Sequence, residues 1–160
     1  MKLKRVERLA VLCVAGVALA AALVGCGSSR PRGSGTVVDV GVVASLGSVL
    51  TTSAGMTLYI FPPDAERQVT CRGACALSWP PLTVAAGSHP KAGPGVQQSL
   101  LGTYPGANGS PAVVTYDGWP LYTYRDDVSP GQASGQGVYL NGGYWWVMSP
   151  SGQPQTETPS

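Results

Sequence analysis

The sequence predicts an all-β fold: antiparallel hairpins in a small domain duplicated about a pseudo-two-fold axis, behind a cleaved N-terminal signal helix. Three observations predict it. The pattern Leu-Tyr-x-(Phe/Tyr)-x-x-Asp occurs twice, at Leu58–Asp64 and Leu121–Asp127, each with a glycine three residues ahead (Gly55, Gly118). Two β-rich runs, Ala112–Tyr116 and Trp119–Tyr124, flank Asp117-Gly118, the short-range signature of a two-residue hairpin. A basic start followed by an uncharged run, Leu9–Val24, occupies the amino terminus and reads as an export signal, somewhat short for a membrane span.

The signal ends in Leu23-Val24-Gly25-Cys26. An aliphatic residue, a tolerant position, a small residue and a cysteine resemble the bacterial lipobox. The resemblance implies a diacylglyceryl group on the Cys26 thiol, cleavage after Gly25 and acylation (palmitate or a similar chain) of the new amino terminus. A plain secretory signal with a chance cysteine is the simpler alternative. One acyl chain, at about 0.8 kcal/mol per buried CH₂, binds a membrane only marginally, and two or more hold firmly. Residues 1–25 are thus read as a lipoprotein signal peptide. Residues 26–35, which contain GSSRPRGSG, read as a flexible tether.

Cleavage changes the charge. The whole chain carries +2 from 10 basic and 8 acidic residues, and loss of residues 1–25 leaves 6 against 7, a net of −1. No basic patch remains to recruit nucleic acid. Cleavage also removes Cys13, and lipid takes Cys26. The remaining thiols are Cys71 and Cys75, which in an oxidising compartment are expected to form a disulfide. One helical turn would set their Cα atoms about 6 Å apart, within bridging range. A redox or metal-binding thiol pair is the alternative, although the spacing is not Cys-x-x-Cys and no histidine lies nearby.

The mature chain reads as a single β domain, 36–148, built of two repeats at about 46–82 and 101–148. Val37–Val43 is β-branched and partly alternating, a strand. Val49–Thr52 and Met56–Phe61 flank Ser53-Ala54-Gly55 as a hairpin, stopped by Pro62-Pro63. Ala74–Trp79 fits one helical turn ended by Pro80-Pro81. Residues 83–98 read as a surface connection, with the lone His89 solvated. Ser99–Thr103 reads as a short strand before the turn-rich YPGANGSP. Val138–Leu140 and Tyr144–Met148 read as a closing hairpin around Asn141-Gly142-Gly143, and residues 149–160 as a disordered tail.

The halves align. Leu46-Gly47-Ser48 matches Leu101-Gly102-Thr103 at 55 positions. Gly55, Leu58, Tyr59, Phe61 and Asp64 match Gly118, Leu121, Tyr122, Tyr124 and Asp127 at 63. Residues 104–111 account for the difference. Each half continues to a tryptophan run, at Trp79 and at Trp145-Trp146. One two-fold domain, in which each hairpin covers the apolar face the other exposes, is the simplest arrangement. In the second copy Leu121 and Tyr122 face opposite sides, so one face packs into the core and the tryptophan runs are expected to cover the other. The Asp-Gly turn sets Val114 opposite Leu121 and Val113 opposite Tyr122.

The lipobox, the doubled Tyr-x-(Phe/Trp/Tyr)-x-x-Asp, the CxGxCAxxWPPL stretch at Cys71–Leu82 and the PGQxxGQG stretch at Pro130–Gly137 together resemble one family, the actinobacterial lipoproteins known as secreted repeats of unknown function. The likeness covers most of residues 46–150 and departs from the family pattern at Trp119. It implies an envelope lipoprotein with a duplicated domain, and no established activity.

The motif itself admits two readings. A half-buried tyrosine needs a partner for its hydroxyl, and an aspartate just past a strand accepts N–H groups of the next turn. Tyr59, Phe61, Asp64, Tyr122, Tyr124 and Asp127 would then be architecture. Alternatively, the second copy is a ligand surface. Nine of the twelve aromatic residues follow residue 100, and Trp119, Tyr139, Trp145 and Trp146 are the candidate platform for a carbohydrate or an envelope protein. No nucleophile sits beside a base, and no haem-type or Met/His ligand set suggests a cofactor. The expectation is a non-enzymatic binding module with no cofactor or metal, held at the outer face of the cytoplasmic membrane by its lipid anchor. An accessory redox or cofactor-carrying envelope protein is the alternative.

Overall fold

The computed structural model describes residues 35–64 and 68–157. The expected signal peptide, Cys26 and the expected tether up to residue 34 lie outside the described residues. What is described is all-β with a single short α-helix, and its sheets are mostly antiparallel.

Strand β1 (Val37–Val43) pairs antiparallel with β2 (Gly47–Thr52) in the register Val43↔Gly47 to Val38↔Thr52. The turn between them closes with Leu46 N–H donating to Val43 O, and Gly47 takes φ 73°. Beyond β2 the chain turns at Gly55 (φ 79°), and Leu58 N–H donates to Leu50 O. The expected second strand of this hairpin shrinks to β3 (Tyr59–Ile60), which takes its ladder partner from elsewhere. Pro62–Asp64 forms a 3₁₀ turn, and α1 (Ala74–Ser78) follows, ending at Trp79 ahead of the two prolines.

The span 83–98 is more than a connection. It contributes β4 (Thr83–Val84), which pairs with the next repeat, and β5 (Lys91–Ala92), which runs parallel to β1. Strand β6 (Leu101–Tyr104) pairs antiparallel with β7 (Ala112–Tyr116) around the 104–111 insertion. β8 (Trp119–Pro120) returns against β7 through a two-residue turn with Asp117 at φ 47° and Gly118 at φ 81°, both left-handed as this turn type requires. Leu121 N–H reaches Val114 O as expected, but at Tyr122 the chain leaves this hairpin and bridges Tyr59 and Pro81 instead of Val113. Last come β9 (Tyr139–Leu140), β10 (Gly143–Tyr144) and β11 (Trp146–Val147). β9 and β10 form a hairpin about Asn141-Gly142, and β11 pairs with β3 of the first repeat.

The repeats are therefore interleaved. The tryptophan segment of each closes the hairpin of the other, and the closure is a ring of three backbone hydrogen bonds made twice. Leu50 N–H donates to Met148 O, Met148 N–H to Leu58 O, and Leu58 N–H to Leu50 O, at 2.8–3.0 Å. Val114 N–H donates to Leu82 O, Leu82 N–H to Leu121 O, and Leu121 N–H to Val114 O, at 2.8–2.9 Å. On the axis, Tyr59 and Tyr122 exchange N–H···O bonds of 2.8 and 2.9 Å. Alternate residues face opposite sides, and both sides are packed. Leu58, Ile60, Leu121 and Met148 belong to one buried cluster. Tyr59, Phe61, Tyr122, Trp79 and Trp145 belong to the other.

The expected disordered tail is corrected over residues 149–157. Ser149 N–H donates to Gln153 O, Gln155 N–H returns to Val147 O, and Tyr116 OH donates to Pro150 O at 2.8 Å. Polar composition concealed a turn that folds back onto β11, because backbone groups and a buried tyrosine hydroxyl hold it and apolar side chains do not.

Candidate functional site

The doubled motif converges on the axis, and its pairs are crossed. Tyr59 OH donates to Asp127 Oδ2 at 2.6 Å, and Tyr122 OH donates to Asp64 Oδ2 at 2.5 Å. Each tyrosine thus binds the aspartate of the other repeat. The reciprocal Tyr59–Tyr122 backbone pairing points the two rings past one another, and the turn after each strand brings the carboxylate round to meet the opposite hydroxyl. The second oxygen of each aspartate does what a residue past a strand end is expected to do. Asp64 Oδ1 accepts Thr70 N–H at 2.7 Å and the Thr70 hydroxyl at 2.5 Å, and Asp127 Oδ1 accepts Ser134 N–H at 2.8 Å. Tyr59 OH also accepts Gly135 N–H at 3.3 Å. Asp64 is 0% and Asp127 5% exposed.

Burial, reinforced by the acceptor carboxylate and its charge, pushes both phenols well above the ordinary tyrosine value, so each stays neutral and donating. The same arrangement suits the carboxylates, whose oxygens are taken up by two or three donors. The chemistry it offers is hydrogen bonding between repeats.

Beside these pairs runs a column of four rings. Trp79 and Trp145 are parallel, 3.9 Å between centroids and 1° apart. Phe61 stacks on Trp145 at 4.3 Å, and Tyr124 stacks on Trp79 at 4.1 Å. Tyr59 and Tyr122 meet the two indoles edge-on at 5.3 and 5.2 Å. Each of these contacts has its counterpart across the axis. Cys71 and Cys75 form a disulfide, Cα atoms 5.2 Å apart, against the same cluster. Trp79 Nε1 is buried with no hydrogen-bond partner among the described residues.

Two segments, 41–83 and 106–149, match one family model, described as a secreted repeat of unknown function. They are the two halves that interleave here. The chain belongs to that family. The secreted-repeat fold is thereby seen as two copies completing one another, and the family's description supports export. No curated protein and no solved structure matches the chain.

The secreted-repeat domain separates the candidate ligand residues. Trp145 is corrected from surface to interior: it is 0% exposed, and its Nε1 donates to Leu140 O at 3.2 Å. Trp119 is half-buried against the other cluster, opposite Tyr116 across the Asp117-Gly118 turn. Tyr139 and Trp146 do lie on one surface, together with Tyr144, which the sequence reading left out of its platform. Tyr139 is 63% and Tyr144 50% exposed, and they face each other across the ribbon at 5.0 Å. Trp146, half-buried, lies 5.6 Å beyond Tyr144 and nearly parallel to it. The period of two explains the sorting: Trp145 and Val147 point into the cluster of the ring column, whereas Tyr144 is exposed and Trp146, half-buried, packs against the other cluster with part of its ring at the surface.

Other contributors escaped the sequence reading. In the PGQxxGQG stretch Gln132 Oε1 accepts Val128 and Ser129 N–H at 2.7 and 3.0 Å. Gln136 Oε1 accepts Val147 N–H at 2.9 Å while its amide donates to Gln155 O. The two glutamines clasp the loop that delivers Ser134 and Gly135. A surface cleft of about 330 Å³ along β6, and one of about 350 Å³ beside Arg72 and the 104–111 insertion, take in none of the motif residues.

Proposed function

We propose that this chain is an exported lipoprotein, tethered through acylated Cys26 to the outer face of the cytoplasmic membrane, that displays a non-enzymatic binding module. Its binding surface is the outward face of the closing ribbon, Tyr139, Tyr144 and Trp146. The observation behind this reading is the sorting of aromatic residues. The motif tyrosines are sealed inside with all their hydrogen bonds made, whereas the ribbon turns two large rings to solvent and half exposes a third, where an edge ribbon ordinarily places polar groups. The partner is a carbohydrate or an envelope protein.

Two measurements test it. Cys26→Ala is expected to move the protein from the membrane fraction to the soluble or secreted one, and unchanged fractionation refutes the anchor. Tyr139→Ala with Tyr144→Ala is expected to abolish cross-linking of the anchored protein to envelope material while leaving thermal stability intact. Retained cross-linking refutes the surface.

The four-ring column favours a second reading, an accessory redox protein in which closely stacked indoles run from the core to half-buried Tyr124. Protein purified from its native host then shows visible absorption or stoichiometric metal; a colourless, metal-free preparation refutes this.

A further inference from the structure

We infer that the ligand of the ribbon is a neutral polysaccharide, whose pyranose C–H faces stack on Tyr144 and Trp146 and whose hydroxyls meet Tyr139 and Asn141; this rests on the reading of the ribbon as a binding surface. The first argument is charge. Residues 128–156 contain no Asp, Glu, Lys, Arg or His, so the whole stretch around the ribbon offers nothing to an anionic polymer, a phosphorylated headgroup or a basic peptide. An uncharged partner fits an uncharged ribbon.

The second argument is that the exposed rings of Tyr139 and Tyr144 are not needed to build the ribbon, and that Trp146 is anchored by packing its buried part against the core. The ribbon is held from within: Trp145 N–H donates to Val138 O, Gly137 N–H donates to Trp145 O, and the Trp145 indole caps Leu140 O. Gly143 lies so close to the core that a Cβ there would come within 2.7–2.9 Å of Phe61 and Pro63. With the scaffold fixed, Tyr144 of β10 and Trp146 of β11 form a preorganised pair, 26° from parallel, which lowers the entropy cost of binding.

The third argument separates sugar from bilayer. The ribbon's tip is Asn141-Gly142, polar and exposed, in a tight turn with φ 59° and 89°. The turn itself is polar, the one exposed aliphatic side chain beside it is Leu140 at 39%, and the aromatic groups flank the tip. A polymer lying along the ribbon can use ring faces, phenol hydroxyls and the Asn141 amide together, as amphipathic aromatic groups do in recognition.

The test uses the full-length lipoprotein in detergent and native affinity electrophoresis through gels containing soluble neutral α-glucan, β-glucan or mannan, with alginate as the anionic control and phosphatidylcholine vesicles in a parallel flotation assay. Retardation by at least one neutral polymer and not by alginate is expected. Tyr139→Ser with Tyr144→Ser is expected to weaken it about tenfold or more, and Trp146→Phe to retain most of it. Tyr104→Ser, remote from the ribbon, should leave it unchanged. Retardation by alginate, or vesicle flotation that needs Tyr139 and Tyr144, overturns the neutral-glycan inference. So does cross-linking of an envelope protein through the same residues with no glycan retardation, although the ribbon then stands as a binding surface. If the double variant changes neither glycan, vesicle nor envelope association, the inference and the reading beneath it both fall.

Discussion

Tyr59→Phe probes the crossed pairing most directly. The substitution keeps the ring, its edge-on contact with Trp79 and the backbone exchange with Tyr122, and removes one oxygen. That oxygen serves two groups, donating to Asp127 Oδ2 and accepting Gly135 N–H. A hydrogen bond to a charged group contributes about 1.5–3 kcal/mol, and an unsatisfied buried donor costs about 1–3. Asp127 retains Ser134 N–H, so it is not stripped. The combined loss is about 2.5–6 kcal/mol, a large share of the roughly 5–15 kcal/mol that holds a domain together. Tyr122→Phe is the internal comparison. It leaves Asp64 with both donors of Thr70 and orphans no N–H group, so it is expected to cost less, about 1.5–3 kcal/mol. Urea unfolding of the oxidised mature domain, followed by tryptophan fluorescence, measures both. A double-mutant cycle then addresses the crossing itself. Tyr59→Phe with Asp127→Ala should show a coupling of about 1–3 kcal/mol, and Tyr59→Phe with Asp64→Ala less than about 0.5. Coupling concentrated in the within-repeat pair, or Tyr122→Phe costing more than Tyr59→Phe, refutes the argument.

Other outcomes follow from the same geometry. Both buried phenols have a folded value above the roughly 10 of an unfolded tyrosine. The unfolded chain therefore loses those protons first, and the stability they confer is complete below about pH 10 and falls as pH rises beyond it. A spectrophotometric titration should show two of the seven tyrosines ionising only together with loss of near-UV circular dichroism; smooth ionisation of all seven in the folded protein contradicts this. Cys71→Ala with Cys75→Ala opens a very short loop, so the loss should be about 2 kcal/mol with the fold retained, read as a lowered urea midpoint with an unchanged near-UV spectrum. At Gly135 an added methyl would lie 2.5 and 2.8 Å from two ring carbons of Trp79 and 3.1 Å from Tyr59. Because Trp79 is pinned against Trp145, Gly135→Ala should cost about 1–3 kcal/mol and visibly lower the melting temperature; an unchanged melt would show that the ring column gives way.

The turn and stop signals in the sequence proved sound, and the long-range exchange was hidden. Asp117-Gly118 made the expected turn because two left-handed residues leave the chain little choice. Ala74–Ser78 stopped where two prolines require it. The two motif copies were visible as a duplication, and the need of a buried phenol for a partner was visible too. Which carboxylate answered each phenol was not, because Tyr59 lies five residues from Asp64 and 68 from Asp127 and nothing in a linear pattern favours the distant one. The same blindness produced the error at Trp145. Adjacent tryptophans cannot both face one way on a strand, but which is inward depends on the partner strand, β3, contributed by the other repeat.

The symmetry also indicates where function can reside. The central contacts that mate the repeats are answered across the axis: Tyr59 by Tyr122, Asp64 by Asp127, Trp79 by Trp145, Phe61 by Tyr124, and one three-bond ring by the other. A change at any of these positions disturbs both halves, so they are occupied by the work of folding. The parts without a counterpart are under no such constraint. Between Asp64 and Trp79 the chain makes a helix turn clamped by a disulfide. Between Asp127 and Trp145 it makes a glutamine-clasped loop and an uncharged ribbon of exposed rings. Both loops meet the same inner requirement, delivering a backbone N–H to the aspartate that begins them. They differ in what they turn outward, so the aromatic face of the second loop is free of the fold's demands, and that freedom is the reason to seek the ligand there and not at the repeated motif.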